Sequence, residues 1–178
     1  MVQRVPNYCP QCGTAVEPRT FEGRERRYCP SCERFVFRNA APCGGVAVVD
    51  GDAEALLLVE RAVPPGDGEW AFPGGHLEAD EPPSVGAARE LEEETGVTVD
   101  PDDLLLADVR QLDPFDGKYV VSIRYAVARS TTSGVPEVGS DAETAEFVPV
   151  EEIRRGSRPL RPHVRPQLDA ILDALRDS

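Results

Sequence analysis

Apolar positions along the chain fall into short runs broken by turn residues, the pattern of a mixed α/β domain. Residues 43–49 and 55–60 are β-branched or leucine-rich and are separated by Asp50-Gly51-Asp52-Ala53. This predicts a hairpin feeding a central sheet. Residues 104–112 and 119–128 make a second strand pair joined through Asp113-Pro114-Phe115-Asp116-Gly117-Lys118. The alternation Tyr119, Val121, Ile123, Tyr125, Val127 is the clearest period-2 signal in the chain. A last short strand is expected over 146–150. A closing amphipathic helix is expected over 163–176, with Leu168, Ile171, Leu172 and Leu175 on its apolar side. Between them, 130–141 is polar and turn-rich, and reads as a surface loop flanking the site.

One further helix, over 84–95, is marked at both ends. Pro82 and Pro83 suit a first turn, where a missing N–H costs nothing, and Gly96 suits a left-handed stop. At about 100° per residue, with Glu90 at zero, Glu93 falls near 300° and Glu94 near 40°. Three carboxylates therefore share one face. Ala88, Leu91 and Thr95 share the opposite side, and Glu92 points elsewhere.

Like charges at i, i+3 and i+4 repel by a few tenths of a kcal/mol per pair, and a bound hard cation reverses that sign. An oxygen-only donor set suits Mg²⁺ or Mn²⁺. Before the helix lies Trp70-Ala71-Phe72-Pro73-Gly74-Gly75-His76-Leu77, whose glycines allow Gly75 to turn a carbonyl towards the metal. Glu81 reads as a brace for this loop, and Arg89 as a group orienting Glu93. A plain solvated acidic helix is the competing reading. It requires Gly75, Glu81, Arg89, Glu90, Glu93, Glu94 and Gly96, with aliphatic Leu91 and Val97, to coincide by chance, on the order of one in 10⁸ per position.

On these residues the chain resembles the Nudix hydrolases, whose signature is G-x5-E-x7-R-E-U-x-E-E-x-G-U. Every fixed position is matched from Gly75 to Val97. The resemblance implies an α/β/α sandwich with a mixed sheet and divalent-metal hydrolysis of a nucleoside diphosphate linked to another group. Carried over by position, Glu90 and Glu94 become metal ligands, Glu93 a further ligand or a water-orienting base, and Arg89 a member of the same catalytic set. Family members often supply another acid before an aromatic strand; Asp141 and Glu143 stand in that place. His76 and His163 read as solvated or packing residues.

The N-terminal segment carries separate chemistry. Cys9 and Cys12 form one C-x2-C pair, Cys29 and Cys32 a second after a sixteen-residue gap, each inside a Tyr-Cys-Pro-x-Cys repeat. This is zinc-ribbon spacing, and four thiolates would close a structural Zn²⁺ site. Two disulfides are the alternative; Cys43 is left over as buried packing. We therefore expect a ribbon over 1–41 and a hydrolase domain over 42–178. Some forty residues are too few for a robust apolar core, so metal should supply their stability.

The net charge of −13, with one lysine against eighteen arginines, disfavours broad attraction to nucleic acid. The ribbon is locally basic, and a contact with nucleic acid or protein through it, or homodimerisation, stays open. No apolar run is long enough for a membrane span and no signal pattern opens the chain, so a cytoplasmic location is expected.

The ribbon-plus-signature arrangement is similar to NADH diphosphatases and to groups acting on ADP-ribose or FAD. It departs from the former, which carry a Ser-Gln-Pro-Trp-Pro-Phe-Pro-like segment that Asp113-Pro114-Phe115 barely echoes. Pro114, seventeen residues past Val97, suggests ADP-ribose. Trp70, Phe72, Phe115 and Tyr119 are candidates to stack a base, with Trp70 and Phe72 equally suited to the core, and Arg61, Arg110 and Arg124 are candidates to meet a phosphate, each equally suited to a surface strand position. Two alternatives remain: a nucleoside triphosphate pyrophosphohydrolase, and a binding or regulatory module of the same fold.

Overall fold

The computed structural model describes residues 4–51, 54–64, 66–139 and 142–176. Two compact units emerge, one of the segment through Ala41 together with Asp113–Val120, the other of Pro42–Leu112 with the chain from Val121 onward.

The first unit is a three-stranded antiparallel sheet of β1 (Glu17–Phe21), β2 (Arg24–Cys29) and β3 (Arg34–Val36) in that order. Glu22 and Gly23 both take positive φ, 49° and 72°, as a two-residue hairpin turn requires. Two knuckles face each other at its base. The first closes through the Gly13 amide to the Cys9 carbonyl at 2.9 Å, with Gly13 left-handed; in the second, Glu33 is left-handed at the equivalent place after Cys32.

The second unit is built on a seven-stranded mixed sheet. Its main path runs β10 (Ala142–Pro149), β5 (Ala55–Arg61), β4 (Ala41–Asp50), β9 (Val120–Ala128), β8 (Leu105–Gln111); β6 (Trp70–Ala71) pairs β5 and β7 (Gly74–His76) pairs β4. The predicted hairpin of β4 and β5 forms, but the two pair only at Val49–Leu56 and Asp50–Ala55, because β7 takes the next stretch of β4. Of the turn residues, Asp52 and Ala53 lie outside the described residues.

Alternation along the central strands makes the sandwich. Val46, Val48 and Leu57 pack with Ala87, Leu91 and Val97 around α1 (Pro83–Thr95). Ala47, Val49, Leu56 and Leu58 pack on the opposite face with Ile153 of α2 (Val150–Arg155) and Val164, Leu168 and Ile171 of α3 (Val164–Arg176). Period-2 strands buried on both faces need helices on both sides, which gives the α/β/α order. No helix among the described residues is long and apolar enough to cross a membrane.

Three expectations shift. The last strand is longer than 146–150, and Val150 opens α2 instead of ending it. In β9 the alternation is real, but the more buried set is Ser122, Arg124 and Ala126, at 4%, 5% and 0% exposure. Arg124 is therefore an interior group, where a surface strand position was an equal expectation.

Candidate active site

Helix α1 starts at Pro83 and stops at Gly96, φ 68°, whose amide donates to the Glu92 carbonyl. Ala88, Leu91 and Thr95 are buried, as the wheel requires, and this fixes the opposite face. Arg89 is the hub of that face. Its Nε and Nη2 donate to Glu81 at 3.1 and 2.7 Å, and its Nη1 donates to Glu90 at 2.9 Å and Glu93 at 3.0 Å. Nη2 also reaches the His76 carbonyl at 3.3 Å. A planar fork with five donors can serve three carboxylates at once; a lysine cannot.

Glu81 lies in the turn before α1 and also accepts from the Glu78 amide at 2.8 Å. Its carboxyl is pulled down to about 2, chiefly by the Arg89 hydrogen bonds. The loop is thus tied to the helix through one charged pair. Gly86 leaves the room for it, since a Cβ there would fall on the Glu81 carboxylate.

Gly75 and Glu90 are brought together. Gly75 sits in β7 opposite Gly44, and a Cβ on it would land on the Glu90 carboxylate. The glycine is required here for close approach, its φ lying outside the left-handed region. Gly75→Ala should push the carboxylate aside and lower turnover by about tenfold or more, with little change in Tm, because a side-chain end can yield where a backbone cannot. Steady-state kinetics beside a thermal melt checks this; unchanged turnover would show that Glu90's placement is immaterial.

Glu94 takes a different position. Its Oε2 accepts from the Gly74 amide at 2.9 Å, so the glycine loop caps it directly. Burial, reinforced by the charge of Glu90, raises it to about 7, against the Gly74 amide and the charges of Arg61 and Arg124. Burial also raises Glu90, with Arg89 opposing. Glu93 is more than half exposed. The three acids share one face without converging. Among the described residues, the only ligand atoms of three or more such groups within 4.8 Å of one another belong to the cysteines.

Arg124 takes neither the phosphate-facing nor the surface place expected of it, but supports the glycine loop from the interior. Its Nη1 donates to the Pro73 carbonyl at 2.9 Å, its Cζ lies 5.1 Å from the Phe72 ring centroid, and Gly45 leaves space for the guanidinium. The same Pro73 carbonyl accepts from the Val46 amide at 3.1 Å. Arg124 therefore supports the loop whose next residue, Gly74, holds Glu94. The spacing of the signature contains no trace of it.

The remaining candidates divide. Trp70 and Phe72 are core residues at 6% and 3% exposure, with Arg158 4.4 Å over the Trp70 ring, so stacking a base on either would require them to leave the core. Phe115 and Tyr119 are exposed and belong to the first unit. Arg61 ends β5 and contributes to the field at Glu94. Glu143 is exposed beside the irregular register at the start of β10, and Asp141 lies outside the described residues. The polar loop does meet the signature helix: Glu137 and Gly139 donate backbone amides to the Thr95 and Glu94 carbonyls at 2.8 and 3.1 Å.

His163 precedes α3, and burial lowers it to about 4, with Arg124 of β9, Arg161, Arg110 of β8 and Arg61 of β5 adding repulsion. Its folded value lies below the unfolded ~6.5. Its stabilising neutrality is complete above that unfolded value and is lost as pH falls towards about 4, a loss of about 2–3 kcal/mol. Urea melts of wild type and His163→Asn between pH 7 and 4 should show a steeper loss in the wild type; parallel curves would contradict the assignment.

In the first unit, Cys9 and Cys32 sulfurs lie 3.9 Å apart, and Cys12 and Cys29 sulfurs 3.6 Å; none of the four is in a disulfide. The Cys32 amide points at Cys29 Sγ at 3.4 Å, a knuckle contact that supports a thiolate.

The family model described as the NUDIX domain matches residues 41–171. A 49-residue stretch is 51% identical to a MutT-like protein of Streptomyces ambofaciens, 28% of this chain and 30% of that one, so the chain spans under a third of that relative. Over 105 residues it is 32% identical to phosphatase NudJ of Shigella boydii, covering 59% of this chain and 67% of that protein. A NUDIX hydrolase from Nitrosomonas europaea shares the fold, with a TM-score of 0.67 at 24% identity over 92% of this chain and 88% of that one. With a match over most of its length, a complete signature and the sandwich that presents it, the chain belongs to the Nudix hydrolase family.

Proposed function

We propose that this hydrolase cleaves the pyrophosphate bond of nucleoside diphosphate derivatives, with ADP-ribose-like or dinucleotide substrates preferred to nucleoside triphosphates. The observation that carries the reading is the wiring of one helix face: Arg89 fixes Glu81, Glu90 and Glu93 while the Gly74 amide fixes Glu94. Four acids held in place against their mutual repulsion suit a cation better than a solvated surface does.

The oxygen donors fit Mg²⁺ or Mn²⁺, which Glu90, Glu93, Glu94 and the Gly75 backbone would hold. When bound, the ion neutralises the pyrophosphate oxygens and acidifies a water. The chain's own residues prepare for this. Burial makes the charged forms of Glu90 and Glu94 costly, so both gain from a cationic partner. Arg89 keeps Glu93 on the same face as Glu90, and Arg124 with Pro73 holds the loop that positions Gly74 and Gly75.

The substrate preference is supported by Pro114 and by the ribbon-plus-signature arrangement. The relative NudJ is named a phosphatase, in keeping with hydrolysis at phosphorus. A panel of ADP-ribose, NADH, FAD, diadenosine polyphosphates and nucleoside triphosphates with Mg²⁺ or Mn²⁺, products resolved chromatographically, decides it. AMP as a product from the first group at the highest kcat/KM is expected; a triphosphate as the best substrate would overturn the preference, and no turnover of any would overturn the reading.

The four cysteines fit a structural Zn²⁺. A tetrahedron with Zn–S of about 2.3 Å has sulfur–sulfur edges of about 3.8 Å, and the two separations above bracket that length. All four positions are protein ligands, so the role is structural. Free thiols in such a site suit a reducing compartment, in keeping with the cytoplasm.

A further inference from the structure

The ribbon's sheet has one face that no part of its fold explains. Antiparallel partners share a face, so the pairs Arg19–Arg26, Phe21–Arg24 and Tyr28–Phe35 place all six side chains on the same side. Phe37 joins them through ring contacts of 6.4 Å to Phe21 and 6.5 Å to Phe35. Phe21 and Phe35 lie 4.6 Å apart, and Tyr28 meets Phe35 edge-on at 5.2 Å. Guanidinium groups interleave with the rings: Arg19 stands 3.6 Å over Tyr28 and Arg26 5.2 Å over Phe37. Phe37 is 53% exposed and Phe21 37%. The cysteine sulfurs do not need this surface, because Cys29 alternates to the other side of β2.

Charge singles the face out further. Residues 1–41 hold seven arginines and four glutamates, a net +3 in a chain of −13. The surplus gathers with the aromatics: Arg19, Arg24 and Arg26 lie on this face against Glu17 alone. A second copy docked by two-fold symmetry would set these arginines against themselves. An acidic peptide would satisfy the charges and leave the rings without partners. A chain of stackable planes joined by phosphates satisfies both.

We propose that this face binds an unpaired nucleic-acid strand, with bases stacking on Phe21, Phe35 and Phe37 and phosphates meeting Arg19, Arg24 and Arg26. Flat sheets bearing two or three aromatic side chains hold that number of bases, and guanidinium planes extend the stack. The whole-chain charge repels a long duplex, so recognition is local and confined to a few nucleotides. The inference concerns residues of the first unit alone and stands whether or not the proposed substrate class is right.

The test is fluorescence anisotropy with the full-length zinc-loaded protein and fluorescein-labelled eight-nucleotide oligo-U RNA and oligo-dT DNA, at 100 and 400 mM salt, with a duplex of the same length as control. Saturable binding of either single strand, weaker for the duplex and weaker at high salt, is expected. Phe37→Ala should weaken it by about fivefold or more, and Arg24→Gln should reduce the salt slope by about one phosphate's share, with zinc content, circular dichroism and pyrophosphate turnover unchanged in both. Arg24 is exposed, so its variant retains the fold even if Phe37→Ala does not. No single-strand binding at millimolar protein, or equal binding by both variants, would overturn the proposal. So would a concentration-dependent dimer lost in Phe37→Ala without strand binding, which would assign the face to a second copy.

Discussion

Glu94→Gln is expected to lower kcat by at least about 10²-fold with the fold intact. The substitution keeps the carbonyl oxygen that accepts the Gly74 amide, so the loop stays anchored. What it removes is the negative charge, held in a partly buried place where water compensates poorly. That charge already stands against the cost of burial, with Glu90 beside it. Burial and Glu90 push the carboxyl towards its protonated form, so a bound cation is what would hold it ionised, and a glutamine cannot supply that charge. Kinetics at saturating Mg²⁺, with circular dichroism as control, reads the result; undiminished turnover would remove Glu94 from the mechanism.

Zinc close to one equivalent is expected in the wild type, and Cys29→Ser should abolish it and unfold the first unit. Cys29 is fully buried and its sulfur accepts the Cys32 amide, so a serine leaves both the metal and the second knuckle short of a ligand. Structural zinc in modules of this size supplies about 10–16 kcal/mol. The apolar content here is a half-exposed aromatic cluster, far from an alternative core. Metal analysis together with limited trypsin digestion at the ribbon's arginines measures the loss. A wild type free of metal with its cysteines in two disulfides would refute the account.

Parts of the structure were legible because their causes are local. Pro83 and Gly96 act on the backbone within one turn, and the ends of α1 follow from them. The core side of α1 follows from the 3.6 period, which places Leu91 and Thr95 at zero exposure. The knuckles follow from cysteine spacing. Residues whose roles depend on distant partners were not readable. Arg124 is interior only because Pro73, Phe72 and Gly45, far off in sequence, make a place for it. Strands β6 and β7 are two and three residues long, too short to carry a period. Helix α2 hid in six residues whose Val150 looked like strand, although acids in its first turn, Arg154 and Arg155 in its last and left-handed Gly156 mark it. The strands of the first unit, β1 to β3, were missed because arginines stand where apolar residues signal a sheet.

The site shows the same division. The signature names Arg89, and the structure adds that one guanidinium serves three carboxylates. Wheel geometry puts Glu90, Glu93 and Glu94 on one face, but it does not say that Glu94 leans into the glycine loop while Glu93 stays in solvent. Of the aromatic candidates, Trp70 and Phe72 take the core alternative. They lie beside the glycine turn in sequence, yet Trp70 pairs with Glu60 of β5 and both rings pack into the core.

The central claim is that this helix face binds a divalent ion together with the substrate's pyrophosphate. Titration of Mn²⁺ followed by electron paramagnetic resonance, with and without a non-hydrolysable methylene analogue of ADP-ribose, tests it most directly. The account predicts that the analogue tightens Mn²⁺ binding, and that Glu90→Gln combined with Glu94→Gln weakens that binding by more than about tenfold. Mn²⁺ binding that is the same in the double variant, or absent even with the analogue bound, would contradict it.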